Sequence, residues 1–83
     1  MKIVYFAGLR RRIGVGEEIV EPPAAINSVE ALVAWLKTRS PAHKSAFEGC
    51  SKLMVAVNQE YADLNAKLAA GDEVAFFPPV TGG

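Results

Sequence analysis

The sequence closes on Gly82 and Gly83, and the α-carboxylate of Gly83 is the group there that could enter covalent chemistry. A terminal carboxyl in an unstructured segment titrates at about 3.3–3.7, so at neutral pH it is ionised and a poor electrophile. Chemistry at that carbon therefore needs a leaving group. Transfer of AMP from ATP would supply one, and displacement of AMP by a sulfur nucleophile would leave a thiocarboxylate, a far better nucleophile than the carboxylate. The residues upstream suit this use. Pro78 has no amide hydrogen for a β-ladder, so the strand before it must stop there. Pro78 and Pro79 together hold the chain extended. Val80, Thr81, Gly82 and Gly83 then project with a reach of roughly 13 Å. Without side chains at its tip, such a tail can thread a narrow channel. The competing reading is a frayed end of no consequence. A Gly-Gly terminus arises by composition in roughly 0.5% of chains, and the paired prolines and the apolar strand before them weigh further against chance.

Other residue types offer less. Cys50 lacks the base that a nucleophilic thiol needs, with only Lys52 near it in sequence, so a packed or loop thiol is the better reading. His43 has no second His or Cys at ligand spacing, so no metal site is expected. Arg10–Arg12 reads as a solvated basic patch, with an acidic partner rim as the alternative. Gly-rich phosphate loops and carboxylate pairs are missing from the sequence, so no self-sufficient catalytic site is expected.

These residues must be positioned by a single small domain of 83 residues. Apolar residues make up 51% and charged residues 22%, a globular balance. Nine cations against nine anions leave no basic excess, which argues against nucleic acid as a partner. No apolar run approaches the ~20 residues of a membrane span. The N-terminal stretch lacks the layout of a signal peptide, and one cysteine precludes an internal disulfide, which suits a cytoplasmic setting.

Along the chain, KIVYFA (Lys2–Ala7) predicts a first strand and LRRRIG an irregular or helical link. EEIVE (Glu17–Glu21) predicts a second strand, stopped by Pro22 and Pro23. In NSVEALVAWLKTRSP, Val29, Leu32, Val33 and Leu36 share one helical face, with Trp35 at its border. Asn27 or Ser28 can cap this helix, and Glu30 stands three after Asn27 as in a capping box. AHKSAFEG predicts a short helical turn ending at Gly49. KLMVAV (Lys52–Val57) predicts an interior strand, Asn58-Gln59 a turn and EYA a short edge strand. LNAKL predicts a helical turn before the last strand, EVAFF (Glu73–Phe77). The expected fold class is α+β: a β-grasp, ubiquitin-like mixed sheet with one main helix on one face, over residues 1–79, and a flexible tail at 80–83.

LAAGDEVAFFPPVTGG (Leu68–Gly83) resembles the C-terminus of the small, sulfur-carrying subunit of molybdopterin synthase. KIVYFAGLRRRIG, SVEALVAWL and VAVNQEYA are similar to the first strand, helix and third-strand region of that family, so the likeness spans nearly the whole chain. The segment VEPPAAINS (Val20–Ser28) has no counterpart in a family motif. The resemblance implies that a partner adenylyltransferase, using ATP, adenylates Gly83, and that sulfuration then gives a thiocarboxylate. It implies insertion of the tail into the large synthase subunit, within a heterotetramer, and sulfur donation to a pterin precursor, cyclic pyranopterin monophosphate, to form the dithiolene of molybdopterin. The chain itself is expected to bind no cofactor.

Ordering a four-residue tail costs roughly 4–8 kcal/mol, which a Gly-rich tip cannot offset alone. Side-chain alternation sets Phe77 opposite Phe76, and Val4 and Phe6 opposite Ile3 and Tyr5. The resemblance places Phe6 and Phe77 on the partner-facing side, beside Pro78, Pro79, Val80 and Thr81. Burying both rings would contribute ~3–6 kcal/mol, enough to offset the ordering. Three rival functions remain: a thiamine-pathway sulfur carrier, a β-grasp binding module without terminal chemistry, and a ubiquitin-like modifier joined to lysines through Gly83.

Overall fold

The computed structural model describes residues 1–50 and 52–79. Among them the elements follow as β1 (Lys2–Tyr5), α1 (Ala7–Ile13), β2 (Glu17–Ile19), α2 (Val29–Lys37), α3 (Pro41–Glu48), β3 (Met54–Val57), β4 (Glu60–Ala62) and β5 (Glu73–Phe77). The strands form one sheet in the order β2-β1-β5-β3-β4. At its centre β1 and β5 run parallel, with Ile3 opposite Val74 and Tyr5 opposite Phe76. The other pairings are antiparallel, and the short strands β2 and β4 form the edges. The expected β-grasp arrangement is present, with the first and last strands paired at its middle.

Period-two alternation splits the sheet into two faces. Ile3, Tyr5, Val74, Phe76 and Val55 are buried against the helices, where they join Leu9 of α1, Leu32 and Leu36 of α2, and Phe47 of α3. The Phe47 ring meets Phe76 edge-on at 5.2 Å, a favoured aromatic geometry. Each large side chain so buried contributes roughly 1.5–3 kcal/mol. A layer of three helices therefore covers the sheet, and α2, the longest, shares it with α1 and α3.

Local details depart from the sequence reading where distant backbone groups intervene. Ser28, and not Asn27, caps α2: its Oγ accepts from the amide of Ala31 at 3.2 Å. Glu30 then falls too early in the helix to complete a capping box. Val29, Leu32 and Leu36 are fully buried, whereas Val33 is only half so. Pro41 opens the next helix, since α3 starts on it with Ser40 as cap, while α2 has already ended at Lys37. The expected short turn there is a helix of eight residues. The expected helical turn at Leu64–Leu68 is reduced to a turn at Leu64 and Asn65, closed by the Ala66 amide on the Asp63 carbonyl at 3.1 Å. Carbonyls of Leu64 and Ala66 instead accept from the amides of Glu30 and Val29 at 2.9 and 3.0 Å, and Lys67 bridges Ser28. Those amides open α2 and have no partner within it, so the stretch from Leu64 to Lys67 satisfies them. No helix among the described residues is long and apolar enough to cross a membrane.

Candidate functional site

The face of the sheet turned away from the helices carries the residues singled out above. Phe76 is fully buried, and alternation therefore turns Phe77 to the open face, where it is half-buried. Beyond β1, the amide of Phe6 donates to the carbonyl of Phe76 at 3.1 Å. The next residue, Ala7, lies at φ 50, a conformation costly for a side chain. This sharp change of direction starts α1 and leaves Phe6 48% exposed. The rings of Phe6 and Phe77 meet edge to face at 6.4 Å. Val4, Ala56 and Ala75 floor the shallow groove beside them.

Tyr61 completes the patch. It is 80% exposed, and its ring leans on Phe77 at 5.9 Å. The sequence reading treated EYA only as an edge strand and missed this residue. Its signal was the two-residue turn, which sets Ala56 opposite Tyr61 and so fixes the face on which the ring emerges. Asn58 and Gln59 adopt positive φ, 50 and 69, as the right-handed twist of a tight hairpin requires. The Asn58 side chain anchors the turn to the start of β5, donating to Asp72 Oδ1 at 3.1 Å and accepting from the amide of Glu73 at 3.1 Å. Bonds from the Ala69 amide and from Asn58 hold the Asp72 carboxyl below its ordinary value. At the far end of the face, Lys2 pairs with Glu17 at 3.4 Å and Glu73 at 3.8 Å. The aromatic end is left to apolar contact.

Pro78 and Pro79 follow directly and are half-buried. Pro78 borders a small hollow with Gly8, Leu9, Arg12, Ala46 and Cys50. Thus Phe6, Phe77 and Pro78 are brought together. Val80, Thr81, Gly82 and Gly83 lie outside the described residues. Cys50 is a free, half-buried thiol packed against the core. Trp35 sits at the border of the core, with the Arg39 guanidinium 5.1 Å from its ring.

His43, set aside as solitary in sequence, belongs to a polar cluster on the helix side. Glu18 Oε2 accepts from the Tyr5 hydroxyl at 2.6 Å and from His43 Nε2 at 2.8 Å, while Arg39 lies 3.5 Å from Oε1. Ser40 Oγ faces His43 Nδ1 at 2.8 Å. Burial acts to raise the Glu18 carboxyl, but the hydrogen bonds from His43 and Tyr5 and the neighbouring positive charge outweigh it, and the net displacement is downward. Burial chiefly, reinforced by Glu18, pushes the Tyr5 hydroxyl far up. The cluster ties β2 to β1, to α3 and to the segment after α2. Every member has a partner, and it faces away from the aromatic patch, so its role is structural.

Residues 3–83 match the ThiS family. The whole chain aligns at 41% identity with 99% of the molybdopterin synthase sulfur carrier subunit of Escherichia coli. Among solved structures, SAMP1 from Haloferax volcanii is similar with a TM-score of 0.77 at 32% identity, over 99% of this chain and 97% of that one. The protein–protein complex of subunits 1 and 2 of molybdopterin-converting factor from Helicobacter pylori contains a chain similar with a TM-score of 0.63 at 25% identity, over 99% of this chain and 96% of that one.

Proposed function

The chain belongs to the ThiS family, and from that premise we propose that it is the sulfur carrier subunit of a molybdopterin synthase. Its aromatic face docks on the large subunit, and its C-terminal segment enters the large subunit's active site. Before that, the same face presents the tail to an adenylyltransferase. The Gly83 carboxylate attacks the α-phosphorus of ATP, releasing pyrophosphate and forming an acyl adenylate. A sulfur nucleophile then displaces AMP, and the thiocarboxylate carries that sulfur to the pterin precursor. ATP is consumed at the partner's site and the chain holds no cofactor of its own. As a subunit it contributes the sulfur-donating group to a sulfurtransferase and has no turnover alone.

The observation that carries this reading is the juxtaposition of the Phe6–Phe77 pair with Pro78, where the last strand ends. A docking surface at the root of the tail lets binding of the folded domain offset the cost of ordering the terminal residues. The test is incubation with the cognate adenylyltransferase, ATP and a sulfur source, followed by intact-protein mass spectrometry. One oxygen-to-sulfur exchange at Gly83 is expected. An unchanged Gly83 carboxylate, with the enzyme active on a control carrier, overturns the reading. Complementation separates the thiamine-pathway rival: restored molybdoenzyme activity supports the proposal and restored thiazole synthesis opposes it.

The likeness to SAMP1, a small archaeal modifier protein, favours a second reading in which Gly83 is joined to lysines of other proteins. Isopeptide-linked conjugates in extracts of the native host would support that reading.

A further inference from the structure

A third of the cations in this electrically neutral chain are consecutive: Arg10, Arg11 and Arg12. All three are exposed on α1, a helix with no acidic residue. Among the described residues, the ion pairs draw on Lys2, Arg39 and His43, and none involves these arginines. The patch is also specifically placed. Phe6 caps α1, and its carbonyl accepts from the amide of Arg10 at 3.4 Å, so the charge begins within one turn of the aromatic pair. Arg12 shares with Pro78 the hollow at the root of the tail. The arginines thus follow Phe6 within one helical turn, and Arg12 stands where the last strand ends.

We infer that the exposed arginines of α1 form an electrostatic docking rim beside the aromatic patch and the root of the tail, and that this rim meets an acidic surface on the large subunit. The inference rests on the docking role proposed above and adds the chemistry of the partner's rim. Packing inside the molecule accounts for part of the arrangement. The Arg12 guanidinium lies against Gly49 at the end of α3, where a helix terminus favours a cation. Arg10 lies close over Gly16, so that an added Cβ there would stand 3.1 Å from its guanidinium. These contacts hold two of the three groups in place before a partner arrives, which lowers the entropy lost on binding. They do not neutralise the charge. Nucleic acid is a poorer fit, because the chain as a whole has no positive excess to hold a phosphate backbone. Charge at the rim of an apolar interface acts chiefly on the rate of encounter.

The test measures association of the full chain with its cognate large subunit by stopped-flow, at about 50 mM and 500 mM salt, where screening differs strongly. Wild type is compared with the double variant Arg10→Glu/Arg11→Glu and the milder Arg11→Gln, each checked for an unchanged circular dichroism spectrum. The expected result is an association rate reduced ~10-fold or more in the double variant at low salt. The difference should close at high salt, dissociation should be nearly unchanged, and Arg11→Gln should be intermediate. Equal association rates at low salt overturn the inference alone. A loss that persists at high salt also overturns it, by assigning the residues a packing role. A wild-type chain that binds the large subunit at neither salt removes the sulfur-carrier reading, and the inference falls with it.

Discussion

Phe6 and Phe77 come from opposite ends of the chain, yet their rings meet edge to face with centroids 6.4 Å apart. The parallel pairing of β1 with β5 makes this contact, since Tyr5 opposite Phe76 brings the next residue of each strand together on the open face. The pairing that builds the centre of the core also assembles the docking patch beside Pro78. Fold and site therefore share one register, and the following outcomes are expected.

Phe6→Ala and Phe77→Ala should each weaken binding to the large subunit roughly 10–100-fold, as truncation of an anchoring aromatic does, with little change in melting temperature. Phe76→Ala, one residue away but fully buried, should cost about 3–5 kcal/mol of stability. Calorimetric titration beside thermal melts distinguishes them. If Phe77→Ala melts as low as Phe76→Ala, the facing of β5 is misassigned.

Tyr61→Ala should reduce partner affinity by more than about 1 kcal/mol and leave stability intact, because this ring is largely exposed and touches Phe77. An unaltered dissociation constant would remove Tyr61 from the interface.

Stability should fall at both ends of the pH scale through the Glu18 cluster. Glu18 ionises more readily folded than unfolded, so its contribution is present above the unfolded carboxylate value and is lost as pH falls through the lower, folded one. Tyr5 holds its proton more tightly when folded. The unfolded state therefore loses the tyrosine proton first, and stability should decline as pH rises past about 10. Melts from pH 2 to 11 on wild type, Glu18→Gln and Tyr5→Phe test both arms. Glu18→Gln should flatten the acid limb and Tyr5→Phe the alkaline limb, and a variant with an unchanged profile contradicts the assignment.

Gln59→Gly should stabilise the fold by roughly 0.5–1 kcal/mol, the relief of a left-handed side-chain conformation less the added freedom of glycine when unfolded. Denaturant midpoints give the answer, and a lower midpoint would mean that the Gln59 side chain earns more in contacts than its φ of 69 costs.

Removal of Gly82 and Gly83 should abolish sulfur transfer while leaving the melt and the docking of the domain in place. Transfer activity in the truncated chain would show that the terminus is dispensable.

Much of this was legible without coordinates, wherever a local rule applied. Alternation in EVAFF separates Phe76 from Phe77, prolines 78 and 79 stop the last strand, and apolar spacing in SVEALVAWL marks the buried stripe of α2. Each follows from backbone geometry repeating over a few residues. The ring of Tyr61 against Phe77, the meeting of Tyr5, Glu18 and His43, and the pairing of Leu64 and Ala66 with the start of α2 were not legible. They depend on which strands become neighbours and on which unpaired amides of α2 need a carbonyl, and both are decided by closing the chain over long separations. The residues themselves determined the alternation that parts Phe76 from Phe77 and the chemistry available at Gly83, whereas only tertiary pairing set the rings of Phe6, Phe77 and Tyr61 against one another on one surface.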